Sequence, residues 1–428
     1  MSDKKRALMR SFPGFRTVIL AAVILFIGAS CTIQNDHPNE DPVSENTIIL
    51  ISLDAFRADY VQKIQPPNIS RLASEGVTAR AGMIPVFPSL TFPNHYSIAT
   101  GLYPQNHGIV SNTMFDPRLE KWFRISDRDA VEDPSWWEGE PIWVTAENQG
   151  IVSATFFFVG SETAVNGVQP TYWRRFDRTV PGNTRVDQVL EWLDLPVAER
   201  PQFIALYFGL IDGTGHEYGL DAPETAEAVL EADGYIGRLL DGLEQRGIED
   251  RVNIILVADH GMSPRSQNRV IALDDYVDVN QVDVINTSPV LMMNAKNDNA
   301  GQIVAQLQGA HPNLEVWMKE SVPERFHFRI HHRIPDIIGM VSDGWTLYRT
   351  REYMEENLSR LGGATHGYDP AALSMRALFI AHGPAFKEKL TIDPFENINI
   401  YPLMAHVLKL DPADTDGRLD VLAPILKN

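Results

Sequence analysis

Three short apolar runs recur along the chain, and each breaks off at an acidic residue. Residues 47–53 read TIILISL before Asp54, residues 203–210 read FIALYFGL before Ile211 and Asp212, and residues 252–258 read VNIILVA before Asp259, His260 and Gly261. Apolar runs of this length, rich in β-branched residues, predict strands buried on both faces. Several such strands in one chain predict an open α/β sheet, where functional residues gather outside the carboxyl ends of the strands. The three aspartates are therefore expected along one edge. A different period governs residues 223–246, where Leu230, Ile236, Leu239, Leu240 and Leu243 make an apolar stripe at helical spacing. Further helices are expected over residues 299–308 and 397–410, and a helix of small residues after Pro88-Ser89-Leu90-Thr91-Phe92-Pro93-Asn94-His95.

Histidines accompany these carboxylates. His216 follows Asp212 by four residues across Gly213 and Gly215, which reads as a loop turning both side chains toward one ion. His366 stands between Gly362-Gly363 and Gly367, where glycines let backbones approach closely. Asp54, Asp212, His216, Asp259, His260 and His366 thus form six candidate metal ligands. Helix capping by each aspartate would explain the carboxylates but not the three histidines. Mixed imidazole and carboxylate donors favour zinc, whereas calcium and magnesium prefer oxygen alone. Thr91 is the candidate nucleophile, since a hydroxyl at a helix entrance can meet a metal, lose its proton and attack phosphorus. A plain helix cap is the competing reading of that residue.

These residues lie in stretches that resemble the nucleotide pyrophosphatase/phosphodiesterase (type I phosphodiesterase) family of the alkaline phosphatase superfamily. The matching stretches include residues 53–57, 91–96, 100–104, 107–109, Asn112 with 114–117, 141–143, 212–218, 259–262 and 365–369, in the family's order. The resemblance implies an alkaline-phosphatase-like α/β/α sandwich with a mostly parallel central sheet and an inserted cap or lid region. It implies two zinc ions, one held by Asp212, His216 and His366, the other by Asp54, Thr91, Asp259 and His260. Thr91 would attack in line to give a phosphothreonine, which water would then hydrolyse. Asn112 would hold a phosphate oxygen together with the Thr91 amide, Phe92 and Phe176 would sandwich a base, and Tyr207 would close one wall. The activity implied is hydrolysis of nucleotide phosphodiester or phosphoanhydride bonds, releasing nucleoside 5′-monophosphates.

Three positions depart from the nucleotide-hydrolysing pattern: Leu90 where lysine is frequent, and Phe158 and Val159 where tryptophan and proline are usual. They leave a lipid head-group or choline-type phosphodiester as the alternative substrate, with a phosphomonoester as another. Charge favours a diester over a monoester: three aspartates and a threonine alkoxide balance two divalent cations, and a phosphate dianion would call for an arginine clamp that the pattern lacks. A sulfatase would need Cys or Ser in a C/S-x-P-x-R setting, which neither Thr91 nor Cys31 provides.

With 428 residues, 44% of them hydrophobic, the chain suffices for one large domain over residues 46–428. Its formal charge of −19 argues against binding long nucleic acid through a basic surface, but not against small nucleotides. Lys4, Lys5, Arg6, Arg10 and Arg16 precede an apolar run over residues 18–29, and Gly28-Ala29-Ser30 lead to Cys31, the single cysteine. Residues 1–31 read as a signal peptide ending at a bacterial lipoprotein-type lipidation position, with simple secretion or an uncleaved anchor as alternatives. The expected destination is the cell envelope, as a periplasmic protein or outer-membrane lipoprotein, with membrane contact only through that anchor. Residues 32–45 read as a polar tether, and no pattern along the chain specifies an oligomeric state. Arg325, His327, Arg329, His331, His332 and Arg333 read as a solvated basic face beside the site, and Trp122, Trp136, Trp137 and Trp143 as packing for a lid or rim.

Overall fold

In the computed structural model, residues 43–427 are described, so the signal segment with Cys31 and the tether up to residue 42 lie outside the described residues. Eight strands form the large sheet: β1 (Ile48–Leu53), β2 (Val77–Ala79), β3 (Ser153–Phe156), β4 (Tyr172–Arg174), β5 (Phe203–Phe208), β6 (Asn253–Val257), β7 (Phe379–His382) and β8 (Leu390–Ile392). Their order is β8-β2-β7-β6-β1-β5-β3-β4. Seven run one way and only β7 runs against its neighbours. The three apolar runs are thus adjacent central strands. Leu53 lies beside Phe208 and Ser52 beside Val257, so the chain leaves all three strands at one edge.

Every residue of β1 and of β6 is buried, which requires cover on both faces of the sheet. The cover comes from helices α1 (Pro67–Glu75), α2 (Thr91–Thr100), α3 (Ile142–Asn148), α4 (Gly182–Leu193), α5 (Leu210–Tyr218), α6 (Pro223–Gln245) and α8 (Ile400–Val407), whereas α7 (Ala300–Leu307) belongs to the insert between β6 and β7. Of these, α1, α4 and α6 pack on one another, and α2, α3 and α8 form a second group. The result is the expected α/β/α sandwich. On α6 the buried stripe runs through Val229, Ala232, Ile236, Leu239 and Leu243, at alternating steps of three and four. Leu230 lies off that stripe and is 47% exposed, a correction to its sequence reading.

Between β6 and β7 the chain inserts a four-stranded antiparallel sheet, ordered Val282–Asn286, Val290–Ala295, Ile337–Val341, Leu314–Met318. With α7 it encloses a separate apolar core that includes Leu291, Met293, Ile303, Leu307 and Ile337. The basic segment at this insert is only in part a solvated face: Arg325 is exposed, but His331 and Arg333 are buried. Arg333 and Asp116 are 2% and 1% exposed and meet at 2.6 Å. The guanidinium also donates to the carbonyls of Gly108, Trp136 and Ser135, and His332 Nε2 reaches the same carboxylate at 2.9 Å. Burial alone would raise the Asp116 pKa, but Arg333 holds it below its ordinary value. Asp116→Ala would remove the buried guanidinium's nearest counter-charge and leave only Glu138, 3.3 Å away, so a loss of about 3 kcal/mol in urea unfolding is expected; a loss under about 1 kcal/mol would contradict this account. The tryptophans also differ from expectation: Trp136, Trp137 and Trp143 lie in the main core, and only Trp122 is exposed.

Candidate active site

Local backbone geometry brings the six candidate ligands together. After β1, Ala55 takes a left-handed conformation with φ 58°, and its N–H donates to Asp259 Oδ1 at 3.1 Å. This cross-link joins the turns after β1 and β6. Asp212 and His216 are not on a loop, as their glycines suggested, but on α5, where an i,i+4 spacing puts both on one face. The glycine between them, Gly215, has a packing reason: a Cβ there would lie 2.5 Å from Met262 Sδ. The loop carrying His366 docks on the same helix, since Gly363 at φ 63° would place a Cβ 2.0 Å from the His216 carbonyl oxygen. Pairing of Ala364–Thr365 with Ser263–Pro264 then fixes this loop to the one after His260.

Two groups emerge that can hold metal ions: Asp212, His216 and His366, and Asp54, Asp259 and His260. They match the division implied by the resemblance. In each of the three histidines, Nδ1 lies 3.0 Å from a backbone carbonyl oxygen, that of Ala364 for His216, of Gly261 for His260 and of Ser89 for His366. A carbonyl only accepts, so Nδ1 carries the proton, and in the neutral ring that a metal requires Nε2 presents a lone pair. At His260 burial lowers the pKa but Asp259 raises it above its ordinary value, so a proton can occupy that Nε2 where a cation does not. Those lone pairs face carboxylate oxygens: His216 and His366 stand 3.3 and 3.5 Å from Asp212 Oδ1, and His260 stands 3.0 Å from Asp259 Oδ2 and 3.7 Å from Asp54 Oδ1. The same three oxygens are buried without a hydrogen-bond partner. Acceptor facing acceptor across about 3.3 Å is the edge of a tetrahedral site with bonds near 2.0 Å, so the donor set fits zinc.

Electrostatics point the same way. Burial, and then the charges of Asp259 and Asp212, push the Asp54 pKa well above the usual carboxylate range. Burial would raise Asp259 as well, but His260 and His95 hold it well below that range. Burial and the neighbouring His260 drive His366 down to about 3, which keeps its imidazole neutral. Burial works against Asp212 too, but His216 and His366 hold it below its ordinary value. Of the three carboxylates only Asp54 is thus pushed toward its neutral form, and a cation at the site would favour its ionisation.

Thr91 is the first residue of α2, and the capping position is Leu90, which has no side-chain cap bond. The threonine hydroxyl is therefore not a helix cap. It lies 3.3 Å from His260 Nε2. Asn112 Oδ1 accepts from the Phe92 N–H at 3.0 Å, which orients the amide and leaves its Nδ2 as the outward donor.

The profile described as type I phosphodiesterase / nucleotide pyrophosphatase matches residues 48–369. The chain belongs to that family. It is 41% identical to a venom phosphodiesterase of Crotalus durissus collilineatus over 90% of this chain, and 38% identical to an uncharacterized pyrophosphatase/phosphodiesterase of Schizosaccharomyces pombe over 96%. These matches cover 47% and 87% of the two relatives, so the chain spans about half the length of the venom protein. Human ectonucleotide pyrophosphatase/phosphodiesterase 5 superposes with a TM-score of 0.84 at 32% identity, covering 89% of this chain and all of that one. An inactive variant of the murine counterpart, in complex with AMP, has a TM-score of 0.83, also at 32% identity, with the same coverage of both chains.

In this type I phosphodiesterase chain a cavity of about 170 Å³ opens beside Thr91, and Asp54, Asp212, Phe92, Phe176 and Tyr207 all line it. Phe176 is 38% exposed and packs edge-on 5.2 Å from Phe157, while Phe92 is backed by Phe123 and Trp137. Tyr207 has a further role that its sequence reading lacked: its hydroxyl donates to Asp54 Oδ2 at 2.6 Å. Leu90 and Phe158 are buried and off the cavity wall, whereas Val159 is on it. Ile125, Arg128, Phe157 and Glu162 also line the cavity and escaped sequence reasoning. Arg128 pairs with Glu162, whose carboxylate accepts from the Phe176 N–H at 2.8 Å; only the nearness of Glu162 to Phe158 and Val159 offered a signal. A groove of about 960 Å³ along α4 and α6 is larger but is lined by no histidine and none of the site residues.

A third cluster, Glu138, His331 and His332, has ligand atoms at metal-binding distances. Its tautomers oppose that use. His331 Nδ1 accepts from the Arg333 N–H at 3.2 Å, so its Nε2 carries the proton and donates to Glu138, also at 3.2 Å. Arg333 stands 3.3 Å from the same Glu138 oxygen and already balances it.

Proposed function

We propose that the chain is a two-zinc hydrolase of nucleotide phosphodiester or phosphoanhydride bonds, with a phosphothreonine at Thr91 and a nucleoside 5′-monophosphate as product. One observation carries this reading: an uncapped hydroxyl, 3.3 Å from a ligand imidazole, opens onto an aromatic-walled cavity that it shares with Asp54 and Asp212. Asp212, His216 and His366 would hold one zinc, and Asp54, Asp259 and His260, with Thr91, the other. When bound, the cations would polarise the phosphoryl oxygens and ease proton loss from a hydroxyl and from water.

Thr91 Oγ1 attacks phosphorus, forming a threonine–phosphorus bond as the bond to the leaving oxygen breaks. The leaving group departs as an alcohol or phosphate. The Thr91 proton leaves with that group; water then attacks from the side it vacated, and a proton from the water restores the Thr91 hydroxyl as its bond to phosphorus breaks. The outward Nδ2 of Asn112 and the Thr91 N–H, one of the helix-terminal donors without an intrahelical partner, suit a phosphoryl oxygen. Phe92 and Phe176 supply faces for a flat base, each worth about 1–3 kcal/mol by stacking. Support for nucleotides comes also from the AMP named with the murine relative.

The test is a rate comparison on zinc-loaded protein between the nitrophenyl esters of thymidine 5′-monophosphate and of phosphocholine, with bis-nitrophenyl phosphate and nitrophenyl phosphate alongside. The thymidine ester is expected to be preferred. Phe176→Ala is expected to raise its KM by about 5- to 100-fold while leaving that for bis-nitrophenyl phosphate nearly unchanged. Preference for the phosphocholine ester would assign the cavity to a choline-type head group, and fastest turnover of nitrophenyl phosphate would make the protein a monoesterase.

A further inference from the structure

One buried histidine at the site takes no part in the ligand set. His95 is fully buried on α2, one turn after Thr91. Its Nδ1 lies 2.9 Å from the Thr91 carbonyl oxygen and 3.3 Å from Asp259 Oδ2. Its Nε2 lies 2.8 Å from the hydroxyl of Ser52, itself fully buried on β1. The ring edge also packs 5.3 Å from Tyr207, whose hydroxyl holds Asp54.

The proton positions follow from these partners. The Thr91 carbonyl can only accept, so His95 Nδ1 bears the hydrogen and donates it there, with Asp259 Oδ2 close by at 3.3 Å. In the neutral ring Nε2 is then an acceptor, and Ser52, one β-strand away, is its donor. The acceptor-only carbonyl thereby selects the tautomer, and the Ser52 hydroxyl, able to donate or accept, serves as the donor that Nε2 then needs.

We propose that His95 is a positioning residue, held in its Nδ1–H tautomer by the Thr91 carbonyl and braced at Nε2 by Ser52, that keeps the backbone of Thr91 beside the metal ligand Asp259 and so sets the nucleophile against the cation site. This rests on the reading of Thr91 as nucleophile. The arrangement resembles in kind the carboxylate and imidazole partners that orient first ligands in metal sites, whose loss costs about 10- to 100-fold in metal affinity or activity.

Two measurements test it. Long-range 15N–1H spectra of histidine-labelled, zinc-loaded protein report which ring nitrogen bears the proton, with His95→Asn supplying the assignment. The Nδ1–H pattern is expected at His95; an Nε2–H or doubly protonated pattern would overturn the proposal, without need of any variant that folds poorly.

The second compares His95→Asn with His95→Gln, because the asparagine amide nitrogen falls near the place of Nδ1 and the glutamine amide nitrogen near that of Nε2. Asn is expected to keep zinc stoichiometry and kcat within about tenfold of the parent, and Gln to lose about 10- to 100-fold in zinc affinity and in kcat with little change in KM. A packing role predicts the reverse order, since glutamine is closer to histidine in volume; Gln equal to or better than Asn would sink the idea. Should Thr91→Ala prove active, the nucleophile assignment fails, whereas an inactive Thr91→Ala beside unaffected His95 variants fails this inference alone.

Discussion

Thr91→Ala is expected to reduce turnover by about 1,000-fold or more, with fold and zinc content retained. The size follows from removing the only atom proposed to bond with phosphorus. Retention follows from the structure: the hydroxyl caps nothing, since Leu90 occupies the capping position, and the three candidate ligands grouped with it, Asp54, Asp259 and His260, stay in place. Thr91→Ser keeps an attacking oxygen and should keep measurable turnover. The check is kcat with metal content and a melting curve on the same preparations. Near-normal turnover in the alanine variant would remove Thr91 from the mechanism, and trapping of phosphate on the threonine of the parent would be the positive counterpart.

Chelation is expected to abolish activity and to lower the melting temperature by about 5 °C, restored by zinc and not by magnesium. The thermal figure corresponds to about 4 kcal/mol of linkage for zinc at roughly a thousandfold its dissociation constant. The structural basis is the trio of buried carboxylate oxygens, on Asp54, Asp212 and Asp259, that have no hydrogen-bond partner and face imidazole lone pairs. The sign of the pH effect follows from Asp54. Its pKa in the metal-free fold lies well above the ordinary carboxylate value of about 4. Between those two values the folded chain holds a proton that the unfolded chain has released, so metal-free stability falls as pH rises through that window. Zinc replaces the proton, and the stabilisation it confers should grow from pH 5 to pH 8. A melting temperature indifferent to chelator across that range would contradict a structural cation at this site.

The parts of the site legible in the sequence were those governed by short-range rules. β1, β5 and β6 were readable because a strand buried on both faces must be continuously apolar, and the first polar residue after it marks the sheet edge. The glycine beside His366 was readable because close backbone approach excludes a Cβ. Local rules misled where two structures share one signal: glycines flanking Asp212 and His216 suggested a loop, yet α5 tolerates them because Gly215 packs against Met262. The run of basic residues from Arg325 to Arg333 looked solvated because its acidic partner, Asp116, lies 217 positions before Arg333.

The sequence by itself determined the strand–aspartate edges, the identity of the six candidate ligands and the nucleophile candidate, because residue type and local period limit what each segment can do alone. Only the tertiary structure decided the rest. Which histidine nitrogen is free, which carboxylate oxygens lack partners, that Tyr207 holds Asp54, and that His95 spans Thr91 and Asp259 are all properties of contacts between distant segments. Such contacts depend on how sheet, helices and insert dock, since no local pattern encodes the distance between atoms that meet only when the chain folds.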